Sequence, residues 1–392
     1  MATTNPSPPG KMAVQSHVAL VSYINMFSIG TAYALSILQI ELPRLLDVPY
    51  HWSFAPFGSA SLGLAAGVAT AASSISTSGA RSTTAKGTGL WGLAVLLAGH
   101  SLSSLNFHGI LAALFVGGVG VGWTYLAVIV MVSQAFPDRP LIRSAIGPLG
   151  FSSGAAASFV VSTFLRFGSR DAGELGGFFK VGGVAFVTVG AATVMLLPSD
   201  VASSKKEPSS GASKRGFFWV LLFFNALPGM TAFSALLPAA SYYNSTSSDR
   251  SPSGLPYAML ALASGGLFSS AVSSRLGPNR TFTVLFSVRG ALLIALWRST
   301  SQTLAFVTLA TILFAHGVGF SYIPGLIKTQ LASASEFPRE YGRVLTAWGA
   351  AGVVASLLNA ALHDDFSSVS LVLGLTVLFV AVVGELASPL DG

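Results

Sequence analysis

LFVGGVGVGWTYLAVIVMVSQAFPDR, residues 114–139, decides the fold class. It runs without a charge until Asp138, and about 20 mostly apolar residues are enough to cross a bilayer as a helix. Its GGVGVG core at 117–122 suits close helix–helix contact in lipid. The same glycines superficially match a dinucleotide-binding loop, but no strand precedes them and both flanks are apolar, so that match carries nothing. The stretch has an echo further on. LFVGGVG at 114–120 recurs as LFAHGVG at 313–319, AFPDR at 135–139 as EFPRE at 336–340, and AIGPLG at 145–150 as AWGAAG at 347–352. The offset stays between 199 and 202 residues, which is the mark of a duplicated bundle of the kind carriers rock about a midplane site.

Composition agrees. The 392 residues are 52% hydrophobic and 9% charged, whereas a soluble domain carries about 25% charged residues. The chain has no Cys, which excludes disulfides, thiolate metal sites and cysteine nucleophiles. A net charge of +7 spread over so apolar a chain makes no basic face for nucleic acid.

Scanning at bilayer length predicts an all-α membrane protein of twelve spans: roughly 17–40, 53–74, 87–104, 107–133, 143–165, 177–197, 216–240, 255–273, 281–297, 302–327, 341–362 and 367–388. The organisation expected is an N-terminal tail (1–16), a six-helix half (17–197), a polar linker (198–215), a second half (216–388) and a short C-terminal tail (389–392). With both termini inside, the inward segments hold 14 Lys and Arg against 6 outward, leaving Arg289 within a span. The asymmetry is in the sense that sets orientation, with both termini cytoplasmic. No motif chooses between the plasma membrane and an organelle.

Four segments carry a resemblance: GTAYALS (30–36), GVGVGWTYLAVIVMVSQAFPDR with GPLGFSSGAA (118–139, 147–156), ASGGLFSSAVSSRLGPNR (263–280) and EYGRVLTAWGAAGVVASLL (340–358). Together they resemble the major facilitator superfamily, and within it the oxalate/formate antiporter family and its monocarboxylate-transporter relatives. The resemblance implies twelve helices in two pseudo-symmetric halves and transport by alternating access. Two departures matter. The superfamily's loop aspartate has Ser274 in its place, and the positions that clamp a dicarboxylate in oxalate-handling members hold Gly266 and Trp348. Oxalate is therefore not the expected substrate.

No Asp or Glu lies deep in any predicted span, which tilts the substrate towards an anion or a neutral polar solute. Arg289 is the one charge inside a span, so a functional role is the default for it. The alternative is a bond to carbonyls of a neighbouring helix. The resemblance places Tyr33 and Tyr125 where relatives present a hydroxyl to a carboxylate, and Trp123, Tyr322 and Trp348 as cavity walls. Plain packing between helices is the other reading of these aromatics. His316 is the candidate for coupling a proton, against a neutral imidazole bonded to a helix carbonyl. Asn25 and Asn225 offer a donor and an acceptor each. Pro228 and Pro324 are expected to break their helices beside the cavity, as gating bends or packing kinks. Arg139 and Arg143, with Arg275 and Arg280 in the paired loop, are expected to hold the inward gate.

The expected function is secondary transport of a small monocarboxylate-like anion, as a symporter with protons or an exchanger of anions, by a monomer in the lipid bilayer. No cofactor, metal or enzymatic chemistry is expected, because no span carries paired acids, a His cluster or a nucleophile with its base. The rivals are a carrier of neutral amino acids or polar metabolites, and a non-transporting membrane sensor of the same fold.

Overall fold

The computed structural model describes residues 9–164, 170–197, 215–243, 255–299, 301–331, 333–363 and 365–386. The linker up to residue 214, the first eight residues and the C-terminal tail lie outside the described residues. The chain starts with α1 (Pro9–Gly30), a 3-10 segment (Thr31–Ile37), α2 (Leu38–Leu46) and a second 3-10 turn (Tyr50–Phe54). There follow α3 (Ala55–Ser103), α4 (Phe107–Ala135), α5 (Pro140–Phe164) and α6 (Ala172–Leu196). The second half of the chain forms α7 (Arg215–Tyr243), α8 (Leu255–Leu276), α9 (Pro278–Trp297), α10 (Gln302–Thr329), α11 (Phe337–Ala361) and α12 (Phe366–Leu386). Side-chain caps start three of these: Asn106 accepts from Gly109 N at 2.9 Å, Asp171 from Glu174 N at 2.8 Å and Ser301 from Leu304 N at 3.3 Å.

Helix α3 is two antiparallel arms. A straight helix of its 49 residues would be about 75 Å long at 1.5 Å per residue, more than twice a ~30 Å hydrocarbon core. Gly79 (φ 80°, ψ 161°) reverses the chain, a conformation that a Cβ would strain. Ser74 Oγ consequently lies 3.0 Å from Thr83 Oγ1, and Lys86 Nζ donates to Ser78 Oγ at 2.9 Å. The polar stretch between the second and third predicted spans is thus helical on both sides of one glycine.

Nine helical stretches among the described residues are long and apolar enough to span a bilayer, one of them Tyr50–Ser103 with both arms of α3, and two shorter apolar helices join them. Large apolar side chains face outward along α6 (Val181, Val184, Met195) and α12 (Leu375, Phe379, Val382), as a lipid-facing surface requires.

The first arm of α3 packs on α4 through facing glycines. A methyl on Gly63 would fall on the Phe115 carbonyl, and one on Gly118 on the Ala60 carbonyl. Helices α1 and α3–α6 contact one another, as do α7–α12. The two groups meet where the first arm of α3 lies along α11 and where α5 lies along α8. One sequence expectation needs correction. Pro228 and Pro324 leave α7 and α10 continuous; the interruption falls instead in the first helical path, at the 3-10 segment after Gly30. Three carboxylates just outside the predicted spans are buried among the described residues: Glu41 and Glu340 are each 3% exposed and Glu336 7%. Glu41 and Glu340 sit at helix ends within reach of Arg44 and of Arg215 with Arg343 respectively.

Candidate functional site

The 3-10 segment brings Tyr33 to the middle of the molecule. Gly30 meets the Phe151 backbone of α5 with no room for a Cβ, which lets the segment lie close. Where the helix changes type, the Ser28 carbonyl accepts from Trp91 Nε1 at 3.0 Å, and Thr31 Oγ1 also donates to it at 2.7 Å. A mid-helix change to 3-10 geometry often marks a hinge.

Tyr33 is then held from three sides. Trp348 Nε1 on α11 donates to its oxygen at 3.1 Å, His316 Nε2 on α10 lies 3.0 Å from the same oxygen, and Phe233 on α7 stacks on its ring at 3.7 Å between centroids. Trp348 Nε1 also approaches Met230 Sδ at 3.2 Å. An indole N–H can only donate, so the proton on the Tyr33 hydroxyl depends on His316. With Nε2 as acceptor the hydroxyl donates to the imidazole; with Nε2–H the hydroxyl proton is free for a third group. Tyr125 on α4 meets the Trp348 ring at 4.8 Å.

Tyr33, Tyr125, His316 and Trp348 line one cavity with Gly147, Pro148 and Phe151 of α5, Leu262 of α8, and Gly317 and Phe320 of α10. Its free space, about 20 Å³, is on the order of one water. Formate, with three heavy atoms, is larger, so a substrate enters only if the helices around it move apart. The two groups of helices are in contact beside it: Ser321 Oγ donates to Ser144 O at 2.9 Å, and Gly349 lies against Ser61 and Ala65.

Behind His316 runs a second polar chain. Arg289, wholly buried on α9, donates from Nη1 to the Asn225 carbonyl at 3.0 Å, and its Nη2 is 3.5 Å from Asn225 Oδ1. Asn225 Nδ2 makes a long 3.5 Å approach to the His316 carbonyl. The Arg289 guanidinium also sits 4.9 Å over the Phe286 ring. Arg289 Nε has no hydrogen-bond partner among the described residues.

The structure therefore brings Tyr33, Tyr125, His316 and Trp348 together and sets Asn225 and Arg289 one step behind them. It places Asn25, Trp123 and Tyr322 elsewhere. Asn25 is spent on Val21 O, Thr193 and Thr88; Trp123 Nε1 donates to Thr70 Oγ1 at 2.9 Å; Tyr322 stacks on Phe282 of α9. Arg139, Arg275 and Arg280 are exposed and Arg143 half-buried, and none of the four forms an ion pair among the described residues. At that end Arg215 instead grips Glu340 with bonds of 2.6 and 2.8 Å, and Arg343 joins at 3.2 Å. Sequence reasoning missed Phe151, Phe233 and Phe320. The signal for Phe320 was its place one turn beyond His316 on the same face.

Solved structures supply the comparison. The chain superposes over 95% of its length on a mutant of the nucleoside transporter NupG, with a TM-score of 0.70, 12% identity and 99% of that chain covered. The D-xylose-proton symporter gives a TM-score of 0.71 at 11% identity, over 95% of this chain and 97% of that one. The chain has the major facilitator fold. A third structure of that fold, the proton:xylose symporter XylE bound to 6-bromo-6-deoxy-D-glucose, superposes with a TM-score of 0.68 at 11% identity, each chain being covered over 95%. No protein-family profile and no curated protein sequence matches. In the major facilitator fold the apolar helices make this an integral, multi-pass membrane protein, and the Tyr33–His316–Trp348 cluster sits where its two helix groups meet.

Proposed function

We propose that the protein is a secondary carrier of a small monocarboxylate-like organic anion, working by alternating access, with twelve spans and both termini cytoplasmic. The observation that carries this reading is the Tyr33 hydroxyl, gripped by Trp348 Nε1 and His316 Nε2 at the wall of a cavity shared by both helix groups. Hydroxyl and N–H donors hold a carboxylate without a competing carboxylate beside them, and none lines this cavity. Tyr125 would give the second hydroxyl, and His316 would pass a proton with the anion through its bond to Tyr33. Opening would part α3 from α11, or α5 from α8 and α10, and the 3-10 segment that carries Tyr33 would supply a hinge. The contact surfaces suit such rocking, being rich in Gly, Ala and Ser.

Uptake of radiolabelled formate, lactate and pyruvate into proteoliposomes, with and without an imposed pH gradient, tests it. Saturable uptake that falls in Tyr125→Phe, with a pH dependence lost in His316→Gln, is the expected result. A neutral polar solute is the second reading, favoured by the nucleoside and xylose substrates named for the superposed structures. Uptake of neutral amino acids, nucleosides or sugars with no carboxylate uptake would replace the first reading by it. Absence of all uptake from folded protein would leave the sensor.

A further inference from the structure

The two halves of the chain solve one structural problem twice, with different residues. Asn25 on α1 and Asn225 on α7 are 200 residues apart, and Thr88 on α3 and Arg289 on α9 are 201 apart, both within the repeat offset. Their neighbours Gly89 and Gly290 correspond as well: Gly89 lies against Gly190 of α6, and Gly290 against Gly374 of α12. In the first half Thr88 Oγ1 donates to Asn25 Oδ1 at 2.6 Å. In the second, Arg289 takes the place of the threonine over Asn225. A hydroxyl is thus sufficient for the packing of this helix pair, and the positive charge at 289 is surplus to it.

That charge is costly where it stands. It is fully buried, its Nε is unpartnered, and no carboxylate pairs with it among the described residues. An unpaired ion in such a place is stabilised by an opposite charge brought close, and the cavity lined by His316 offers space for one. Resting on the anion-carrier reading above, we propose that Arg289 is the fixed counter-charge that makes the cavity select a singly charged anion, acting through Asn225 and the α10 backbone at His316 without touching the substrate. One cation balances one negative charge. A dianion would be left with an unbalanced charge, since Gly266 beside the cavity faces Pro148 and Trp348 offers only an N–H. Asn225 is the positioning residue, its carbonyl and amide oxygen turned to the guanidinium and its amide nitrogen to α10.

The experiment compares binding of lactate, of its neutral isostere lactamide and of oxalate to the full-length protein in nanodiscs, with formate and formamide as a second pair. At a separation of about 10 Å and an effective dielectric constant near 20, one charge is worth on the order of tenfold in affinity. Wild-type protein and Arg289→Lys should prefer the carboxylate over its amide by about that factor and reject oxalate. Arg289→Thr, the first half's own solution, and Arg289→Gln should bring the ratio close to one while amide binding persists. A carboxylate preference unchanged in folded Arg289→Thr or Arg289→Gln overturns the inference and spares the carrier reading. Failure of both to fold while Arg289→Lys folds makes the charge structural and overturns it too. Wild-type protein that binds the amides but no carboxylate overturns the anion reading itself.

Discussion

Asn25 and Asn225 occupy matching places in the two halves and live in different surroundings. Both polar atoms of the Asn25 side chain are met. Its Nδ2 donates to Val21 O at 2.8 Å and Thr193 Oγ1 at 2.9 Å, Thr88 donates to its Oδ1, and Thr88 touches Thr124 at 3.2 Å. Around Asn225 the side-chain approaches lengthen to 3.5 Å, and Arg289 Nε goes unmet among the described residues. A satisfied buried network rigidifies, whereas a partly satisfied one is costly and its retention calls for a functional explanation. The first half is a scaffold at this position; the second keeps polar groups in reserve beside the cavity. The glycine seam between the first arm of α3 and α4 belongs to the same scaffold, and the aromatic wall of α7, α10 and α11 lies on the side to which the proposed function assigns the substrate.

That contrast can be broken at several points. The largest effect is expected from Gly63→Leu, because the side chain would have to displace the Phe115 backbone. No monodisperse protein should survive solubilisation, and a folded variant with unchanged melting temperature would remove the seam from the scaffold. Next comes the double variant Gly58→Cys/Ser356→Cys. A Cβ on Gly58 lies 3.1 Å from Ser356 Cβ, close to disulfide distance, and the chain has no other cysteine. Oxidation should abolish turnover, and reductant should restore it; full activity when cross-linked would mean that α3 and α11 need not separate. Asn25→Ala should cost about 1–3 kcal/mol in thermal or denaturant unfolding, since it removes the bonds to Val21 O, Thr88 and Thr193, and leave substrate preference alone. A changed preference would dissolve the division of labour. The smallest effect is expected from Tyr125→Phe: roughly tenfold weaker carboxylate uptake, the value of one hydrogen bond to a charged group, with stability within about 1 kcal/mol of wild type.

Much of this was legible beforehand. The repeat at 114–120 and 313–319, with the run of apolar segments, was enough for a duplicated helical bundle. Resemblance supplied Tyr33, Tyr125 and Trp348, and the presence of a titratable imidazole in mid-span supplied His316. Periodicity marks where the reading overreached. Trp123 and Tyr125 are two apart on one helix, and His316 and Tyr322 six apart, so at about 100° per residue neither pair shares a face. Asn25 could not be assigned from α1 alone, because its partners Thr88 and Thr193 come from α3 and α6. The reversal between the spans at 53–74 and 87–104 was legible, but its narrowing to the single residue Gly79 was hidden, because Ser- and Thr-rich sequence reads as loop and tertiary contact makes it helix. Phe151 and Phe233 carry no chemical signature; only the packing around Tyr33 reveals them.

The most direct test of the site is saturable uptake of lactate and lactamide by proteoliposomes containing wild-type protein or Tyr33→Phe. Removing this one hydroxyl takes away the group on which Trp348 and His316 converge. Carboxylate uptake in the wild type that falls at least tenfold in Tyr33→Phe, with folded protein and little change in melting temperature, is the expected result. Undiminished carboxylate uptake in Tyr33→Phe, or uptake confined to the neutral amide, would contradict a carboxylate site at Tyr33.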